Sequence, residues 1–185
     1  MSVCLPRYKV KKMKTLQPIY AVPLKFGLVG GAISAMLFGG IYFFGENPLV
    51  VYRQFDFSFL LLPLFLFFSI REFRDFGNNR ELRFWQGMSV GFLTYMIIAF
   101  VSALFVWVFV SFVDIQLLAG YIDDRLRLIT IMKEEMIETM GEVVYETAYS
   151  EVQGITAVEV AMDDFLKKIF IGLFLTILIS VFLRK

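Results

Sequence analysis

Three methionines, Met132, Met136 and Met140, recur at every fourth residue and therefore share one face of any helix that carries them. Thioethers are soft ligands able to hold Cu(I). Neither His nor Cys stands nearby, because the chain has no histidine and its one cysteine is Cys4. Methionine is also an adaptable filler of apolar seams. The triplet therefore reads as a docking stripe for a partner helix or a second copy, or as plain internal packing. The carboxylates of the same segment are a second candidate. Asp123, Asp124, Glu134, Glu135, Glu138, Glu142 and Glu146 supply the hard oxygen atoms that Ca²⁺ prefers. They form no EF-hand loop and no clustered Asp-x-Asp, so neither a metal nor a cofactor is expected.

Enzymatic signatures are missing from the chain. There is no G-x-S-x-G, Walker A, H-E-x-x-H or G-x-G-x-x-G pattern. Without histidine the commonest general base and pH switch is gone. A single cysteine excludes an intramolecular disulfide. The expectation is a non-enzyme.

The elements that must carry these residues are apolar. Hydrophobic residues make up 58% of the 185-residue chain, and mean hydropathy is +0.71. A soluble domain is about 45–50% apolar. Four greasy stretches stand out: Leu24–Phe44, Leu49–Ile70, Ser89–Val113 and Ile169–Leu183. About 20 apolar residues wound as a helix match the hydrocarbon thickness of a bilayer. The fold class expected is all-α: an integral membrane four-helix bundle, one domain over residues 1–185. Leu24–Phe44 exceeds a signal-peptide core and lacks an A-x-A-like cleavage site, so it reads as a retained first span. The centres of the spans read as free of ionisable groups, which argues against an intramembrane enzyme or a proton-coupled transporter.

The spans carry local signals. Gly27, Gly31, Ala35 and Gly39 are spaced by four and give the first span a small face for close helix packing or a homodimer seam. In the second, Arg53 and Asp56 fall on one face near the outer interface, and Pro63 is expected to kink the helix. Gly87 and Gly91 open a second small face at the start of the third span.

Charge sets direction. The segment before the first span holds Arg7, Lys9, Lys11, Lys12, Lys14 and Lys25; the loop between spans two and three holds Arg71, Arg74, Arg80 and Arg83; the chain ends Arg184-Lys185. The segment Asp114–Lys168 has five basic against twelve acidic residues. By the positive-inside rule both termini are expected to be cytoplasmic and the acidic segment outside. Within that segment Leu118, Ile122, Leu126, Ile129, Met132, Met136, Met140 and Val143 step by three or four, the mark of an amphipathic helix over about Gly120–Tyr149. After a break at 150–154, Thr156 and Glu159 form a capping box. Ile155, Val158, Met162, Phe165 and Ile169 then run as one stripe into the last span. An extracytoplasmic amphipathic helical hairpin is expected between spans three and four, with one long helix from about Thr156 to Leu183.

The cytoplasmic turn is the most distinctive stretch. Arg71-Glu72-Phe-Arg74-Asp75-Phe76-Gly-Asn-Asn is followed by Leu82-Arg-Phe84-Trp-Gln86-Gly87 and then Gly91-Phe92. Arg71 and Asp75 are placed to pair at i, i+4, and Gly77 to stop the helix with positive φ. Together with the glycine-rich first span and the acidic segment before the last, this run resembles a bacterial family of four-span membrane proteins defined only as a domain of unknown function (number 4199 type). The resemblance implies a bacterial cytoplasmic membrane and brings no activity and no catalytic residues. The partners expected are the lipid bilayer and a second copy or a membrane-complex subunit, with no nucleic acid. The leading expectation is a structural, assembly or accessory subunit. The alternative is a small oligomeric channel or transporter for a neutral or lipophilic solute, lined by Ser34, Thr94, Tyr95, Ser102, Thr176 and Ser180. A metal or lipid sensor using the acidic helix is a third.

Overall fold

A computed structural model describes residues 18–54, 58–78 and 80–184. All regular structure among them is helical: α1 (Pro18–Phe43), α2 (Pro48–Gln54), α3 (Ser58–Glu72), α4 (Phe84–Val108), α5 (Gln116–Ile131), α6 (Lys133–Met140), α7 (Glu142–Gln153) and α8 (Ala157–Leu183). A π-helical turn extends α3 through Phe73–Gly77, and another extends α4 through Phe109–Val113. Three helices are long and apolar enough to cross a membrane: Pro18–Phe43, Phe84–Val113 and Ala157–Leu183. The basic N-terminal residues through Lys14, Asp56 (and with it the Arg53–Asp56 pair) and Asn79 lie outside the described residues.

Helix α4 is the hub, packing chiefly on α1 and α8, with α3 against all three. The glycine contacts give direction. Gly27 meets Ile97 and Gly31 meets Val101, so α1 and α4 run parallel. Gly87 meets Ser180, Gly91 meets Thr176 and Gly172 meets Tyr95, so α4 and α8 run antiparallel. Three apolar layers stack along these helices. One is Ile70, Phe73, Leu82 and Val90; the next is Leu62, Leu66, Tyr95 and Ile98. The third, Phe38, Leu49, Val106, Val110, Leu117 and Tyr121, ties α2 and α5 to the ends of α1 and α4.

Several elements differ from the sequence reading. The stretch 49–70 is divided between α2 and α3. Proline at the first position suits the start of α2, where no backbone N–H is needed, and Pro63 lies inside α3 without ending it. The outer helix expected as one piece over 120–149 breaks at Met132 and again at Gly141, whose φ of 89° is available to glycine and ends α6. Positive φ in the turn between α3 and α4 falls on Arg80 (66°) and not on Gly77. Gln86 holds that turn together, its Oε1 accepting from the Arg83 backbone N–H at 3.1 Å and from Asn78 Nδ2 at 2.9 Å. The last helix follows the sequence closely. Thr156 Oγ1 accepts from the Glu159 N–H at 3.3 Å, and Glu159 Oε2 accepts from the Thr156 N–H at 2.7 Å, so both orphan donors are used.

A buried ion pair as the candidate functional site

Asp164, Lys168, Gly172, Thr176 and Ser180 recur at every fourth residue, so they line one face of α8. That face, and not the apolar stripe, is turned inward: Lys168, Gly172, Thr176 and Ser180 are buried. Val158 and Met162 of the expected stripe are exposed. With Phe100, Leu104 and Trp107 they border an apolar groove of about 490 Å³ between α4 and α8. The inversion has a physical cause. Lipid is as apolar as leucine, so large side chains gain nothing by facing inward, whereas small residues let helix backbones close up. A Cβ on Gly172 would lie 2.5 Å from Tyr95 Cγ, and one on Gly87 would lie 2.8 Å from Ser180 Oγ.

The charged end of this face is the one ionic centre inside the helical core among the described residues. Lys168 Nζ donates to Asp164 Oδ1, with the two side chains 2% and 16% exposed. Asp164 Oδ2 accepts from Ser102 Oγ of α4 at 3.1 Å. Continuing the α4–α8 register from Gly172–Tyr95 sets Lys168 level with Ala99, halfway along the 30 residues Phe84–Val113. The core is therefore not free of ionisable groups, contrary to the sequence reading, which took Lys168 as the last residue of the outer segment. The missed signal was the run of four-residue steps from Asp164 to Ser180.

Other hydroxyls lie towards the Phe84 end of α4. Thr94 Oγ1 donates to the Val90 carbonyl at 2.8 Å. Its single proton is then used, so Ser69 is the donor in the 2.7 Å Ser69–Thr94 contact. Thr176 Oγ1 and Ser180 Oγ are buried without a hydrogen-bond partner. One residue round the helix, Lys167 Nζ donates to Asp163 Oδ2 at 2.5 Å, and both side chains are 52% exposed.

The residues singled out from sequence fall into three places. On α1, Gly27 and Gly31 lie against α4, where an added Cβ would come within 2.6 Å of Ile97 or Val101. A Cβ added to Gly39 would meet nothing within 4 Å, and Ala35 is half-buried. In the turn between α3 and α4, Arg71 Nε lies 3.6 Å and Arg74 Nε 2.8 Å from Asp75. Those guanidinium donors, Arg74 foremost, hold the Asp75 carboxyl below its ordinary value. Glu72 instead reaches α1 and pairs with Lys25 at 3.1 Å. Arg74, Asp75, Phe76 and Arg80 border a surface pocket of about 390 Å³.

In the segment between α4 and α8, Met132 marks the break between α5 and α6, and Met132 and Met140 are exposed while Met136 is half-buried. Helix α6 buries no residue. Helix α5 is anchored by buried Leu117 and Tyr121 and by Asn47 Nδ2, which donates to the Leu117 carbonyl at 3.0 Å. Among the described residues no three His, Cys, Asp or Glu side chains converge as a metal site would require.

Residues 25–185 match the model of a family described as "Protein of unknown function (DUF4199)", and the chain belongs to that family. No curated protein and no solved structure matches the chain.

Proposed function

We propose that this DUF4199 member is a non-catalytic four-span protein of a bacterial cytoplasmic membrane that presents its acidic outer helices to a partner as a structural, assembly or accessory subunit. Helix α3 is about 22 Å long at roughly 1.5 Å per residue, and with α2 leading into it we read residues 49–70 as a fourth crossing. Lys25, Arg71, Arg74, Arg80, Arg83 and Arg184 gather towards one end of the helices and the acidic α5–α7 segment lies at the other. The positive-inside rule makes the first end cytoplasmic.

The observation that carries the docking role is the surface of α6 and α7. Ile131, Met132, Met140, Val143 and Val144 are exposed there, interleaved with Glu134, Glu135, Glu138, Glu142 and Glu146. An exposed apolar strip rimmed by like charges fits a partner helix with an apolar face and basic flanks. Deleting 121–154 is expected to leave membrane insertion intact and to abolish co-purification of membrane partners. Replacing Met140 and Val143 by Ser in the full chain is expected to weaken it. Unchanged co-purification in both variants refutes the reading.

A further inference from the structure

We propose that the cavity between the start of α4 and the end of α8 binds the phosphate headgroup of an anionic phospholipid, with Arg83 and Arg184 as its two anion contacts. The inference rests on the membrane-crossing reading above but not on the docking role of the outer helices.

Helix packing builds the cavity. The antiparallel contact of Gly87 with Ser180 brings the first turn of α4 beside the last turn of α8. Leu82 and Leu183 are buried together in the apolar layer with Ile70, Phe73 and Val90. Beyond that layer the chain enters α4 at Arg83 and leaves α8 at Arg184, both with extended backbone. Leu82, Arg83, Phe84, Trp85 and Arg184 border a cavity of about 510 Å³, within the range of about 300–1,000 Å³ usual for ligand pockets.

Charge decides what such a cavity holds. Of the cations at this end, Lys25 is paired with Glu72, and Arg71 and Arg74 are paired with Asp75. Arg83 and Arg184 carry no ion pair among the described residues, and no described carboxylate borders the cavity. Glu81 is close in sequence but is exposed and stands outside the lining. The positive-inside rule asks only for basic residues on one side of the membrane. It does not ask that two of them, from opposite halves of the chain, converge unpaired on one cavity. A guanidinium presents a planar fork of donors that matches phosphate oxygens, and two forks suit one phosphate.

Depth decides the source of the phosphate. Trp85 is exposed beside the arginines, and tryptophans collect at the bilayer interface. In the last turn before Arg184, Val181 and Phe182 are exposed too. A phospholipid seated here lays its chains along that apolar end of α8 and brings its phosphate level with Arg83 and Arg184. Basic pockets between membrane helices hold anionic headgroups in this way. A free phosphate would use the arginines and leave the apolar rim idle.

The test uses the full-length protein in mild detergent, titrated with dioleoylphosphatidylglycerol or dioleoylphosphatidylcholine. Binding is read by native mass spectrometry and by thermal unfolding. Wild type is expected to hold the anionic lipid about tenfold more tightly than the zwitterionic one. Arg83→Gln with Arg184→Gln is expected to bind the two lipids alike. Both side chains are exposed, so this variant strands no buried group and is expected to unfold at the wild-type temperature in phosphatidylcholine. Lys25→Gln with Arg71→Gln removes the same formal charge from the same end and is expected to keep the full preference. Equal affinity of wild type for the two lipids overturns the site. So does a preference that survives in the Arg83/Arg184 variant, or one lost equally in the Lys25/Arg71 variant. Inorganic phosphate is expected not to displace the anionic lipid, and displacement overturns the lipid assignment. Partner co-purification is read separately and is expected to be unchanged in both variants.

Discussion

Two ion pairs sit side by side on α8 with the same chemistry and the same spacing. Asp163–Lys167 is half-exposed on both side chains, whereas Asp164–Lys168 is enclosed against α4. One residue of offset is a rotation of about 100° on a helix, and that rotation separates a solvated pair from a buried one. An exposed pair is worth about 0–1 kcal/mol. A buried pair need not stabilise the fold at all, yet removing one partner strands the other charge and costs about 3–5 kcal/mol. The contrast teaches that spacing identifies a pair while the packing partner decides what the pair is worth.

The widest gap between the pairs is expected on cutting them singly. Lys168→Met is predicted to lose about 3–5 kcal/mol of stability, read as detergent-solubilised unfolding, and the double variant Asp164→Asn/Lys168→Met to recover part of it. If the double variant is no better than the single, Asp164 is not stranded and the pair is not coupled. A second route is through the seam that encloses the pair. Gly91→Ala pushes a methyl into Thr176 and is predicted to cost about 1–3 kcal/mol as an overpacked contact. Gly39→Ala, with nothing within 4 Å, is predicted to be neutral or slightly stabilising.

Much of α8 was legible before any coordinates. Thr156 and Glu159 announce the cap, and unbroken helix formers carry it to Leu183. The inward face was not legible, because Val158, Met162 and Phe165 form the obvious stripe and a soluble-protein rule turns them inward. In lipid the rule reverses, and the small and polar steps of α8 at Gly172, Thr176 and Ser180, which meet Tyr95, Gly91 and Gly87 of α4, mark the face that can approach. The breaks at Met132 and Gly141 were missed because apolar periodicity continues through both. The Lys25–Glu72 bridge joins residues far apart in sequence and carries no local signature.

Smaller effects sharpen the same comparison. Thr156→Ala removes a cap that both pairs share and is predicted to cost about 1 kcal/mol without changing their difference. Lys167→Met is predicted to cost less than about 1 kcal/mol, and a loss matching that of Lys168→Met breaks the contrast. The smallest effect concerns the turn between α3 and α4. Asp75 is held below its ordinary value of 3.8 by Arg74 and Arg71. Its folded form binds its proton less readily than its unfolded form, so its contribution is complete above that ordinary value and is lost as pH falls through the lowered one. Asp75→Asn is expected to lower stability by a small constant amount near neutrality and to flatten the stability-versus-pH curve only in that acid window, where the wild type loses the same contribution.

The enclosure of Lys168 is open to one direct measurement. The intact wild-type protein in mild detergent is treated briefly with an amine-acylating ester, and the adjacent lysines are resolved by fragment mass spectrometry. Fast labelling of Lys167 with Lys168 protected until the protein unfolds is the result expected. Equal labelling of the two in the folded protein contradicts the buried pair and everything built on it.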